Sequence, residues 1–204
     1  MPDYVFERAH RRKGLVAGCD EVGRGPLAGP VLAAAVILDP KRIPKGLDDS
    51  KLLSAEIREE LYLVLRQSAL IGIGAASVAE ITRINILQAS MLAMARAVAA
   101  LPKPPATVLI DGNRAPDLSC VCIPVIGGDA LCQSIAAASI VAKVTRDRIM
   151  RALGHRWPGY GFESHMGYPT PAHRDALSRL GPTPHHRPTF ASVHKMLWDG
   201  ALTS

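Results

Sequence analysis

The chain has 204 residues, 48% of them hydrophobic but only 4% aromatic, and a formal net charge of +6. That is enough for one domain with a largely aliphatic core and no room for a second full-sized one. The charge favours an anionic partner such as nucleic acid, and the longest apolar run, Val31 to Leu38, falls far short of the ~20 residues that span a bilayer.

The start, "MPDYVFERAHRRKG", lacks the apolar stretch of a signal peptide. The four cysteines, Cys19, Cys120, Cys122 and Cys132, form no C-x-x-C pair and suggest no zinc site. A reduced, cytoplasmic protein is expected.

In chain order, Leu15 to Cys19 predicts a strand ending at Asp20, and Val31 to Leu38 a second strand joined to it by a glycine- and proline-rich turn. Asp39 to Lys51 is a polar loop. Ser54 caps a predicted helix through Ala69, with Ile57, Leu61 and Leu65 on one stripe. Ile71 to Ser77 predicts a strand. Ala79 to Leu101 predicts a long helix with Ile81, Ile84, Met91 and Val98 inward, ended by Pro102, Pro104 and Pro105.

Val108 to Ile110 predicts a strand ending at Asp111, and Cys120 to Val125 another. Gly127 and Gly128 make a break before a helix from about Ala130 to Leu153. Beyond it, Thr170 caps a helix with Pro171 first inside and Gly181 and Pro182 past its end. A last helix covers Phe190 to Trp198, and "WDGALTS" is expected to fray. The order predicts an α/β fold with a helical C-terminal segment, residues 1–153 forming the core and 154–204 the segment.

The stretch "AGCDEVGRGPLAGP" puts two adjacent carboxylates at the end of a buried strand. Gly23, Gly25 and Ala28 match a dinucleotide fingerprint, but that motif must open a helix, and here Pro26 and Pro30 lead into a strand. Asp20 and Glu21 would also repel a pyrophosphate. A solvated turn is the plain alternative, yet buried strand ends in α/β sheets are where ligands bind. Asp111 reads alone as an Asp-Gly turn and Asp129 alone as an N-cap. Together, acids at several element ends that converge on one sheet edge suit Mg²⁺ or Mn²⁺, which prefer oxygen ligands. Neighbouring strand residues face opposite ways, so Asp20 and Glu21 share a site only if the strand is turning at Glu21.

The segments "DEVGRGPLAGPV", "LDDSKLLS", "INILQASMLAM", "VLIDGN", "GGDALCQSIAAASIVAKVTRDR" and "YGFESHMGYPTPAH" occur in the order found in bacterial ribonuclease HII, which the chain resembles from about Leu15 to Val193. The resemblance implies a ribonuclease H-like fold, with a mixed five-stranded sheet flanked by helices and a helical C-terminal segment. It implies hydrolysis of RNA in RNA–DNA hybrids and a cut 5′ of ribonucleotides embedded in duplex DNA, leaving 3′-hydroxyl and 5′-phosphate ends. It implies two Mn²⁺ or Mg²⁺ ions on Asp20, Glu21, Asp111 and Asp129. The sugar-reading loop falls on Gly23, Arg24 and Gly25, the substrate tyrosine on Tyr168, and a loop lysine near the site on Lys51.

On the helix bearing "SIVAKVTRDR", Lys143 is the first candidate for a phosphate contact, ahead of Arg146, Arg148 and Arg151, although a solvated face is the usual meaning of such a run. The histidines His155, His165, His173, His185 and His186 fit no zinc spacing and are expected to pack or face solvent. Gly128, Met166 and Thr82 stand where the family commonly carries charged residues, which removes peripheral charge and leaves the four acids. A monomer is expected. A hybrid-binding protein without catalysis is the rival from another class, and unneutralised carboxylates at a phosphate site count against it.

Overall fold

The first and fourth strands of the chain lie side by side and run parallel, and this decides where the acids go. A computed structural model describes residues 1–199; the end of the expected frayed tail, residues 200–204, lies outside the described residues. The strands are β1 (Val16–Val22), β2 (Val31–Leu38), β3 (Ala69–Ala76), β4 (Thr107–Asp111) and β5 (Val121–Val125). They form one sheet of order β3-β2-β1-β4-β5. β1 and β2 are antiparallel, as are β2 and β3, whereas β1 pairs with β4, and β4 with β5, in parallel. The mixed five-stranded sheet flanked by helices is the expected class.

Alternation along the strands splits the core in two. Ala17, Cys19, Ala33, Ala35, Val108 and Ile110 face α3 (Val78–Ala99). Leu32, Ala34, Val36 and Leu38 face α2 (Ala55–Ser68) and α5 (Gln133–Arg156). Small residues prevail on the side facing α3, so that helix and the sheet approach closely.

Several boundaries differ from the sequence reading. β1 runs through to Val22, in register with β2 at Glu21↔Ala33 and Val22↔Leu32. Ser54 caps α2 through its hydroxyl, but Ile57 is exposed and the buried stripe is Leu61, Tyr62 and Leu65. α3 is broken at Asn85, whose left-handed φ of 65° rephases the helix; Ile81 and Val98 are buried, whereas Ile84 and Met91 only pack at the margin. The expected helix from Ala130 is two, α4 (Gly128–Leu131) and α5, parted at the extended Cys132, and α5 continues past Leu153 to Arg156.

An N-terminal helix, α1 (Val5–His10), precedes the sheet. At the other end α6 (Phe162–His165), α7 (Pro171–Leu180) and α8 (Ala191–Asp199) follow, α7 capped by Thr170 with Pro171 at its first turn as expected. The four cysteines are free thiols. Among the described residues no helix is long and apolar enough to cross a membrane.

Candidate active site

The last register pair of β1 and β4 is Cys19↔Ile110. One residue further on, Asp20 and Asp111 therefore stand side by side on the face turned toward α5. Asp20 is buried and accepts the Glu21 N–H at 2.7 Å. Asp111 accepts the Gly128 N–H at 2.8 Å, which ties β4 to the start of α4 and brings Asp129, the next residue, to the same end of the sheet.

Glu21 reaches this end without the strand turning, which corrects the sequence expectation. β1 outruns β4 by Glu21 and Val22, so beyond Asp111 no strand flanks that side of β1. Glu21 is paired with Arg24 at 3.5 Å.

Three of these acids hold their protons more tightly than usual. Burial raises Asp20 well above the ordinary range, and Glu21, Asp111 and Asp129 raise it further. Burial also raises Glu21, opposed by Arg24 and assisted by Asp111. Asp129 is raised by burial, Asp111 and Asp49, with Lys51 opposing. Four carboxylates thus share one low-dielectric end of the sheet with too little positive charge to balance them.

The two cations present, Arg24 and Lys51, have exposed side chains. Lys51 Nζ lies 3.6 Å from Asp129 Oδ2 and 3.7 Å from Asp49 Oδ1, on a side chain 77% exposed. Its loop is held firmly, since Arg58 donates to the Ser50 and Leu53 carbonyls and the buried Ser50 and Ser139 hydroxyls pair at 2.7 Å. An all-oxygen set short of compensation fits a hard divalent cation. Among the described residues no three such side chains are gathered closely enough to hold an ion by themselves. Mg²⁺-like ions take one or two carboxylates each and keep water or phosphate oxygens for the rest.

The Gly23–Gly25 loop leads into β2, not into a helix, so the dinucleotide fingerprint has no helix N-terminus to offer. Gly23 is left-handed (φ 92°), and a Cβ there would overlap Arg146. Arg146 and Arg187 are both fully buried behind the loop and pair with carbonyls, not carboxylates. Arg146 donates to Ala28, Pro30 and Met166; Arg187 donates to Gly23, Arg24 and Gly29. Arg146, read from sequence as part of a basic face, is therefore a loop anchor. Arg148 and Arg151 pair with Glu59.

Tyr168 meets this loop: a Cβ on Gly25 would sit 3.8 Å from Tyr168 Cε1. Its backbone is fixed by His165 and His173, through Tyr168 N–H to the His165 carbonyl and the His173 ring to the Tyr168 carbonyl at 2.9 Å. His165 stacks on His173, and His173 Nε2 faces His186 Nε2 at 3.1 Å, a packing role as expected. Lys143 is not brought to the acids; it is half-buried and bonded to Asp147 Oδ1 at 2.8 Å.

At Gly128 a Cβ would sit 2.5 Å from Ile135 Cδ1, so a side chain there would displace the tip of Ile135. The residue before the Gly128–Asp129 pair is Gly127, left-handed (φ 65°) and with open space around its Cα.

A mixed sheet of this order, with helices on both faces and acids at the ends of its two central parallel strands, defines a ribonuclease H-like α/β enzyme. Residues 17–200 match the family model described as Ribonuclease HII. Ribonuclease HII of Nitrobacter hamburgensis is 60% identical over 194 residues, 94% of this chain and 73% of that protein. Ribonuclease H2 from Pyrococcus horikoshii OT3 superposes with a TM-score of 0.74 at 27% identity, over 89% of this chain and 96% of that one. Bst-RNase HIII, solved in complex with Mn²⁺, shares the fold with a TM-score of 0.66 at 21% identity, over 93% and 71% of the two chains. The chain belongs to the ribonuclease HII family, and it is an enzyme, a ribonuclease H.

Proposed function

We propose that this ribonuclease hydrolyses the RNA strand of RNA–DNA hybrids and cuts 5′ of ribonucleotides embedded in duplex DNA, leaving 3′-hydroxyl and 5′-phosphate ends. The observation that carries the reading is the convergence of Asp20, Glu21, Asp111 and Asp129 at one end of the sheet, three of them with raised pKa values. These four side chains would hold two Mg²⁺ or Mn²⁺ ions; the relative solved with Mn²⁺ has the same fold. When bound, such ions supply Lewis acidity toward an attacking water and the departing 3′ oxygen.

The chain's own groups do the rest. Arg24 and Lys51, exposed and paired only across 3.5–3.7 Å with Glu21, Asp49 and Asp129, would be available to phosphate oxygens with those carboxylates neutralised by ions. Arg146 and Arg187 hold the Gly23–Gly25 backbone rigid, so its peptide groups can approach a 2′-hydroxyl. Tyr168, 39% exposed beside Gly25, packs on the sugar next to it. Water, not the 2′-hydroxyl, is the nucleophile, so no histidine pair is needed as acid and base. Lys143 keeps a weaker claim to a phosphate, since binding there would compete with Asp147.

The enzyme acts as a cytoplasmic monomer, with residues 1–153 as the catalytic core and 154–204 as the segment that backs the sugar-reading loop. Asp20→Asn should abolish turnover of a hybrid while hybrid binding in Ca²⁺ persists; substantial residual turnover would remove Asp20 from the site.

A further inference from the structure

A four-residue helix carries Asp129, and it is pinned at both ends. At its front, the Gly128 N–H is bonded to Asp111. At its back stands the junction with α5, where the chain supplies no cap of its own: Cys132, the N-cap of a 24-residue helix, makes no side-chain hydrogen bond. The first N–H groups of such a helix need acceptors.

They find them 130 and 127 residues away in sequence, in the N-terminal strap. The Gln133 N–H donates to the Asp3 carbonyl at 3.0 Å. The Ser134 N–H and hydroxyl both donate to Glu7 Oε1, at 2.7 and 2.6 Å. Asp3 N–H returns a bond to the Leu131 carbonyl, the last residue of α4, at 3.0 Å. Phe6 packs with Cys132 and Ile135. On the opposite side Gly18 of β1 lies so near Ser134 that a Cβ would overlap its backbone.

Glu7 is fully buried, and its Oε2 has no partner. A serine at position 132 could cap α5 without burying a carboxyl group. Burying a half-satisfied carboxylate instead is the kind of local expense found where a functional group must be held in place. It fixes the α4–α5 junction at Cys132 from outside, and Asp129 sits three residues upstream of that junction.

We propose that the N-terminal strap, through Glu7, is a positioning element for Asp129, locking the short helix that presents this carboxylate to an ion. The proposal rests on Asp129 being an ion ligand. The test is titration of the metal-free full chain with Mn²⁺ by calorimetry, beside hybrid cleavage at varied Mn²⁺. Glu7→Ala should weaken Mn²⁺ binding by about 10–100-fold. The Mn²⁺ needed for half-maximal cleavage should rise in step, with KM for the hybrid at saturating Mn²⁺ unchanged. Glu7→Gln, which keeps an acceptor at Oε1, should recover most of the affinity.

A folded Glu7→Ala protein with the parental Mn²⁺ isotherm overturns the proposal, as does a Glu7→Gln protein no better than Glu7→Ala. If Glu7→Ala does not fold, Glu7→Asp, one methylene too short to reach Ser134, is read in the same way. Asp129→Asn separates the two layers: an unchanged isotherm there sinks the assignment of Asp129 and the strap proposal with it, whereas a weakened one leaves Glu7 as the matter decided.

Discussion

Arg187→Met removes a buried guanidinium and keeps most of its volume. Arg187 spends its donors on three carbonyls: Gly29 at 3.0 and 2.9 Å, Arg24 at 2.9 Å and Gly23 at 2.6 Å. No carboxylate balances it, and burial together with nearby Arg146 pulls its pKa down to about 9. Leaving three buried carbonyls unpaired costs about 1–3 kcal/mol each. Relief from burying an uncompensated charge returns a good part of that. A net loss of about 3 kcal/mol remains, which in a domain of this size lowers Tm by about 6–12 °C.

Thermal unfolding by circular dichroism reads the loss directly. Cleavage at 25 °C, where the variant stays folded, should show kcat/KM falling further on a duplex with one ribonucleotide than on a long hybrid, because a single 2′-hydroxyl depends on one placement of the Gly23–Gly25 backbone. A variant within about 1 kcal/mol of the parent protein would refute the reasoning, since the carbonyls would then not depend on Arg187.

Asp20→Asn should stabilise the metal-free protein by about 1–2 kcal/mol. Its raised pKa means the folded state resists ionisation, so stability is lost as pH rises through that value and the amide escapes the loss; melting in EDTA at pH 8 checks this. The same variant should lose most of the Tm gain that Mn²⁺ gives the parent chain. His186, pulled down to about 4 by burial and then by His173, gives stability that is complete above the ordinary histidine pKa of about 6.5 and lost as pH falls toward 4. Melting curves from pH 7 to 4 should flatten in His186→Gln. Lys51→Ala should weaken hybrid binding uniformly and lower the salt slope by about one ion, measured by anisotropy in Ca²⁺.

The parts that local punctuation specifies were legible. Apolar runs ended by Asp20 and Asp111, the glycine–proline link from β1 to β2, and the Thr170–Pro171 cap needed no tertiary knowledge. The break at Asn85 was hidden because its apolar neighbours continue a helical rhythm; the residue rescues the new helix start by accepting the Leu87 and Gln88 N–H groups. Arg146 and Arg187 look like surface charge in a sequence, and only the fold reveals that backbone carbonyls surround them. The cap that Glu7 gives α5 joins residues 127 apart in sequence, so no local spacing announces it. Among the acids, position on strand ends was readable, but the sharing of one end by Glu21 depended on β1 outrunning β4.

The most direct test of the central claim is incubation with a DNA duplex carrying one ribonucleotide, beside an all-DNA duplex, in Mg²⁺ or Mn²⁺ and in EDTA. The account predicts one cut, 5′ of the ribonucleotide, lost in EDTA and absent from the all-DNA duplex. A folded protein that makes no cut with either metal, or that cuts both duplexes alike, would contradict it.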